Sequence, residues 1–300
     1  MCFNYSMEEK ITLPRVVWGL WRIASWNKTP QELAKMMNML LDIGVDTVDL
    51  ADIYGDYAAT KLFGEVLKAD PTLSKRIQIV TKADIVLLSE KHPEVYVQHY
   101  DTSAEHIIAS VEQSLQDLGR DYIDLLLIHR PDPFMDPLEV SQAFDELYNE
   151  GKVHAFGVSN FMPYHHSLLS KYTKQPLLVN QIEISLMHPN PFLDSQIPYM
   201  MENDITPMAW SPTGGGRLFT SEEQKAINLR LALGVIAHNH NATAEQIAYA
   251  WLLNHPSNIV VVAGSSNFKR VKAAVEAEDI LLDRQEWFYL LQQATGESVP

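Results

Sequence analysis

Short apolar runs alternate with stretches of helical period along nearly the whole chain. The runs fall near residues 16–21, 47–51, 77–82, 123–129, 153–159, 177–184, 205–210 and 259–263. They are short and show little polar alternation, as expected of strands buried on both faces. Between them, residues such as Ile107, Ile108, Val111, Leu115 and Leu118 recur three or four apart, the apolar face of a helix lying on a sheet. The helices are punctuated. Thr29-Pro-Gln-Glu32 and Thr102-Ser-Ala-Glu105 read as capping boxes, and Gly44, Gly119 and Gly151 follow helical patterns where a left-handed residue ends a helix. Strand and helix alternate eight times without a linker or low-complexity segment, which predicts one domain over residues 1–300. Its fold class is a closed α/β barrel, (β/α)8 of the TIM type, rather than an open doubly wound sheet. Residues 11–15 are expected to pair as an N-terminal hairpin, and residues 221–240 and 283–294 to form two extra helices outside the eight units.

Composition narrows the function classes. Among 300 residues the formal net charge is -15, with no basic block, so nucleic acid and an anionic membrane surface are unfavourable partners. The one cysteine, Cys2, excludes an intrachain disulfide framework and a cysteine-built zinc site. The N-terminus MCFNYSMEEK has no basic region followed by an apolar stretch, and no run of about 18 apolar residues occurs. A cytoplasmic protein, monomeric or weakly homo-oligomeric, is the expectation. His165-His166 and His238-Asn-His240 have no acidic or cysteine partner at ligand spacing, so no metal is expected.

Chemistry enters at the strand ends. Active sites of such barrels gather at the carboxyl ends of the strands, where Asp49, Lys82 and His129 close three successive runs and Tyr54 lies in the loop after the first of them. Together these four side chains can reduce a carbonyl with hydride. Tyr54 gives the proton to the developing alkoxide, Lys82 eases its departure by favouring phenolate, Asp49 holds Lys82, and His129 orients the carbonyl oxygen. The hydride would come from a reduced nicotinamide, so no metal is needed. The thirteen glycines form neither GxGxxG nor a Walker A loop, which disfavours a Rossmann site. Instead Gly264-Ser-Ser-Asn267 leads into a helix with Lys269, Arg270 and Lys272, a candidate phosphate cradle, and Gly214-Gly-Gly-Arg217 is a second.

The blocks VDLADIYG, IVTK, DYIDLLLIHRPDP, GVSNF, NQIEIS, PMAWSP and VVAGSSNFKRV stand in an order and spacing that resemble the aldo-keto reductases over nearly the whole chain. Within that family the chain is most similar to the bacterial NADPH-dependent oxidoreductase branch with a short C-terminal loop. The resemblance implies Asp49, Tyr54, Lys82 and His129 as a catalytic tetrad, with NADP(H) as cofactor. It implies that Ser159, Asn160 and Gln181 hold the nicotinamide carboxamide and that Trp210 stacks on the ring. Ser211, Gly214, Arg217 and Leu218 would lie along the pyrophosphate, and Gly264, Ser265, Asn267 and Arg270 around the adenosine 2′-phosphate. Gly19, Leu20 and Trp21 would form the floor and one wall near the reacting carbon. The chain departs from the family at Leu50, often Thr or Ser, and at Ala263, often Pro. Ala273 and Ala274 offer no polar group to adenine. An unpaired Arg270 would still favour NADPH over NADH.

A small-molecule aldehyde or ketone is the expected substrate. Trp21, Phe134, Met135 and the 283–287 tail are the expected walls, with Trp26 a further one, giving a hydrophobic pocket. The sequence shows no cationic cluster near the tetrad, so a phosphorylated sugar is not expected. Two alternatives share the fold: a non-catalytic NADPH-binding regulatory subunit, and a barrel hydrolase in which Asp49 and His129 act on water.

Overall fold

The eight apolar runs are the eight strands of a closed parallel barrel in a computed structural model that describes residues 11–298, leaving Cys2 outside. The strands are β1 (Val16–Gly19), β2 (Thr47–Asp49), β3 (Gln78–Ala83), β4 (Ile123–Ile128), β5 (Val153–Ser159), β6 (Leu177–Glu183), β7 (Thr206–Trp210) and β8 (Val260–Ala263). Each pairs with its neighbour in sequence, and β1 closes on β8. Inside the barrel Val17, Val80, Leu125, Leu127, Val179, Met208 and Val260 form one apolar cluster. Outside it, the opposite strand faces meet the helices, as where Phe156 stacks on Phe144 at 4.2 Å. Burial on both faces is why the strands read as continuous apolar runs. The helices Gln224–Asn239 and Arg284–Thr295 are the two additions outside the repeating units.

Two local expectations are corrected. Residues 11–15 form no strand, so there is no hairpin built on them. Pro14 lacks a ladder donor, and the segment is held across the barrel base instead. Ile11 and Leu13 pack on the interior cluster, Gln78 donates to the Thr12 carbonyl, and Arg15 donates to the carbonyls of Leu253 and Ile259. The second box is displaced by one residue. Ser103 is the N-cap of helix Ala104–Leu118 and accepts from the His106 N–H, while the Thr102 hydroxyl is turned to Asp132 and donates to its carboxylate at 2.7 Å. The Thr29 capping box forms as expected, and Gly44, Gly119 and Gly151 all have positive φ.

Helix Ala59–Ala69 crosses the C-terminal end of helix Ala104–Leu118 so closely that a Cβ on Gly64 would lie 1.9 Å from the Asp117 carbonyl oxygen. Backbone cannot yield there as a side-chain tip can. Gly64→Ala is therefore expected to destabilise the barrel by about 1–3 kcal/mol. Urea unfolding would measure this, and an unchanged midpoint would contradict the close crossing.

Candidate active site

The parallel register brings the strand-end residues to one rim. Asp49 lies level with Gly19 and Val80, Lys82 with Leu127, and Ser159 with Gln181. His129 follows β4, its N–H held by the Ala83 carbonyl at 3.0 Å. Tyr54 opens a one-turn helix after β2, in which Gly55, Asp56 and Tyr57 have positive φ. The four residues thus converge from three strands and a loop.

Lys82 is the hub. Its Nζ donates to Asp49 Oδ1 at 2.7 Å, to the Leu50 carbonyl at 2.7 Å and to the Tyr54 hydroxyl at 3.1 Å. Burial works to lower the Lys82 pKa, but the charges of Asp49 and Tyr54 and their hydrogen bonds outweigh it, and the net direction is up. Lys82 is thus an ammonium. Tyr54 also moves up: burial dominates, with Asp49 adding to it, against the lowering by Lys82. The lowering by Lys82 expected from the sequence is thus present but smaller than the desolvation. The phenol consequently keeps its proton at neutral pH. His129, its ring edge-on to Tyr54 at 5.9 Å, is pushed well below its usual value by burial, then by Lys82 and Arg130. It is a neutral imidazole. Its Nδ1 is sealed without a hydrogen-bond partner, leaving Nε2 as the nitrogen that faces the cavity.

Neighbouring groups brace this centre. Gln181 Nε2 donates to Asp49 Oδ1 at 2.7 Å, so the carboxylate has two donors. Asn160 donates to the Ser159 hydroxyl and the His129 carbonyl, and its Oδ1 accepts from Trp210 Nε1 at 3.0 Å. In this arrangement the Asn160 amide is spent tying Trp210 to Ser159 and His129 at the strand-end rim. Asp84, fully buried with φ 115°, accepts the Arg130 N–H at 2.8 Å. Burial, with Asp52 and Asp132 nearby, raises its carboxyl well above the usual range.

A cavity of about 330 Å³ opens over the rim. Its wall includes Asp49, Tyr54 and His129, then Gly19, Trp21, Ser159, Asn160, Gln181, Trp210, Ser211, Gly264, Ser265 and Arg270. Lys82 lies directly behind Tyr54. Other expected cofactor residues are elsewhere. Leu20 and Leu218 are completely buried in the apolar core. Gly214 is buried and not on the wall, while Arg217 turns back to donate to the Gly214 carbonyl. Asn267 caps helix Phe268–Glu276 through the Lys269 N–H. Arg270 is not unpaired, because its Nε donates to Glu245 Oε1 at 3.0 Å.

The substrate walls also differ from expectation. Phe134 is 95% exposed, and Met135 packs against the core. Trp287 stacks on Trp251 at 5.2 Å with reciprocal indole-to-carbonyl hydrogen bonds, which keeps the 283–287 tail on the outer layer. Trp26 stacks on Trp18 at 5.6 Å. Their places are taken by Arg22, Ile53, Ile85 and Arg130, and further along the cavity by Thr213, Gly215, Gly216, Glu245 and Tyr249. Arg130 thus places one guanidinium beside His129, where no cationic cluster is expected from the sequence, while Arg22 lines the same cavity over Trp21 and donates to the Gly215 carbonyl at 3.1 Å. Arg130 adjoins His129 in the sequence and was within reach of the same strand-end argument. Glu245 and Tyr249 lie on helix Ala244–Leu253 and carry no such signal. Three of the four histidines considered for metal make ordinary contacts: His165 with the Met162 N–H, His166 with Tyr199, and His240 with Glu286.

Residues 15–292 match the model of the Aldo/keto reductase family. Oxidoreductase YdhF of Escherichia coli is 45% identical over 287 residues, covering 95% of each chain. A 6-dehydroglucose reductase of Agrobacterium fabrum is 43% identical over 295 residues, covering 98% of each. Among solved structures, a thermostable aldo-keto reductase in complex with the inhibitor epalrestat superposes with a TM-score of 0.78 at 25% identity, over 96% of this chain and 97% of that one.

Proposed function

The chain belongs to the aldo/keto reductase family, and from that premise we propose that it reduces aldehyde or ketone carbonyls to alcohols by NADPH-dependent hydride transfer. The observation that carries this reading is the Lys82 ammonium held between the Asp49 carboxylate and the Tyr54 phenol, with neutral His129 beside it. Two donors can then meet one developing oxyanion, the Tyr54 hydroxyl and His129 Nε2. A well-placed donor of this kind is worth on the order of 3 kcal/mol in the transition state. As Tyr54 gives up its proton, the adjacent ammonium compensates the phenolate, and Asp49 keeps that ammonium in place. Burial around Tyr54 keeps the acid protonated until reaction.

The bound nicotinamide would supply the hydride. The wall offers suitable groups along its length. Trp210 presents an indole beside Ser159 and Gln181 for the ring, and Gly215 and Gly216 offer bare backbone for the pyrophosphate. Nothing lies within 4 Å of a Cβ added to Gly216. Ser265 and Arg270 would meet the phosphate at the adenosine end.

For the carbonyl substrate, Trp21, Ile53, Ile85 and Trp210 provide apolar faces, while Arg22 and Arg130 provide hydrogen-bond donors. Aromatic faces combined with guanidinium donors suit a polyhydroxylated aldehyde better than a plain hydrocarbon one. The similarity to a 6-dehydroglucose reductase supports a sugar-derived aldehyde as the class to test. NADPH oxidation should be followed against sugar-derived, aromatic and aliphatic aldehydes and ketones, beside a tryptophan-fluorescence titration with NADPH and NADH. Turnover with NADPH binding supports the reductase. Binding without turnover on any substrate would favour the regulatory subunit, and no binding would overturn the cofactor reading.

A further inference from the structure

We propose that Glu245 limits the selectivity for NADPH over NADH by acting as the resident counter-ion of Arg270 and competing with the cofactor's 2′-phosphate. This rests on the NADPH reading above. Glu245 lies in the first turn of helix Ala244–Leu253, and Arg270 in the first turn of helix Phe268–Glu276. Their side chains meet at 3.0 Å on the cavity wall, where Gly264 and Ser265 also lie. A guanidinium with no partner would offer its full charge to a dianion. This one is already paired, so phosphate must displace the carboxylate or share Arg270 with it.

The exposure of the two side chains sets the scale. Arg270 is 47% and Glu245 22% accessible, so the ion pair itself is worth little and can be opened cheaply. The larger cost is repulsion. The Glu245 carboxylate stays tethered to its helix beside any phosphate that reaches Arg270, whereas the 2′-hydroxyl of NADH carries no charge to repel and can donate to it. On the Arg270 helix Lys272 is itself paired with Glu276 at 2.8 Å, which leaves Lys269 as the other cation able to relieve this. One turn beyond Glu245, buried Tyr249 also lines the cavity. Burial first, and Glu245 next, push its phenol up, so it remains a neutral donor. This end of the cavity therefore combines a cation for phosphate with an acceptor and a donor for ribose hydroxyls.

The test is a comparison of wild type and Glu245→Gln by tryptophan-fluorescence titration with NADPH and with NADH, repeated with adenosine 2′,5′-bisphosphate and 5′-AMP as displacing ligands. Gln keeps the size and an acceptor but removes the charge. The expected result is NADPH and the bisphosphate binding about tenfold more tightly to the variant, with NADH and 5′-AMP changed by less than about twofold. An unchanged NADPH-to-NADH ratio would overturn the proposal. Weaker NADPH binding would overturn it too, by showing that Glu245 serves to aim Arg270 at the phosphate. Wild type that binds neither dinucleotide would reject the cofactor reading itself, a distinct outcome. A thermal melt of Glu245→Gln that overlays wild type would exclude misfolding as the source of either negative result.

Discussion

Tyr54→Phe is expected to cut carbonyl reduction by a factor on the order of 100 or more while leaving NADPH binding nearly unchanged. The substitution removes one oxygen atom from the site. That oxygen bonds to Lys82 at 3.1 Å, and among the described residues it is the one phenol placed beside His129 on the cavity wall. The phenyl ring keeps its packing under the rim, so the groove assigned to the cofactor retains its shape. His129 and Lys82 would remain to polarise a carbonyl, which is why some turnover should persist. Single-turnover reduction measured beside a fluorescence titration separates the two effects. Equal losses in binding and turnover would mean that Tyr54 shapes the cofactor site, and its role as acid would have to be abandoned.

The strands and the meeting of Asp49, Tyr54, Lys82 and His129 at one rim were legible in the sequence for a common reason. A strand buried on both faces appears as an apolar run, and a polar residue ending such a run has only the barrel rim to occupy. Asp49, Lys82 and His129 stand out on that basis. Pro14 shows where local pattern failed: residues 11–15 look like a strand, but the missing N–H and the reach of Arg15 to Leu253 and Ile259 send them across the barrel base. The wall of the cavity was less legible because a cavity is made of surfaces, and sequence position does not say which surface a residue shows. Leu218 and Gly214 stand beside wall residues in sequence yet face the core. Glu245 and Tyr249 reach the cavity from a helix whose pattern, Ala-Glu-Gln-Ile-Ala-Tyr-Ala-Trp, reads as a covering element and nothing more. The Arg270 pairing joins residues 25 apart on two helices, a contact no local spacing announces.

Lys82→Met should cost stability as well as turnover, and the two losses can be separated. The side chains of Lys82 and Asp49 are 0% and 4% accessible, so removing the ammonium strands a carboxylate in the barrel with the Gln181 amide as its remaining donor. Breaking a buried ion pair from one side costs about 3–5 kcal/mol, most of it the penalty of the unpaired charge. Methionine itself fits the space, being unbranched and similar in length. The double variant Asp49→Asn with Lys82→Met removes both charges and leaves an amide that can still meet Gln181. It should recover most of the lost stability in urea unfolding. It should recover none of the activity, because Tyr54 would face no cation as its proton leaves, while burial would continue to hold its pKa up. If the double variant were as unstable as Lys82→Met alone, the cost would lie in packing at the Lys82 stem rather than in charge. If it regained turnover together with stability, Lys82 would be a strut for the rim, and the hydrogen bond from its ammonium to Tyr54 would have no part in the proton transfer.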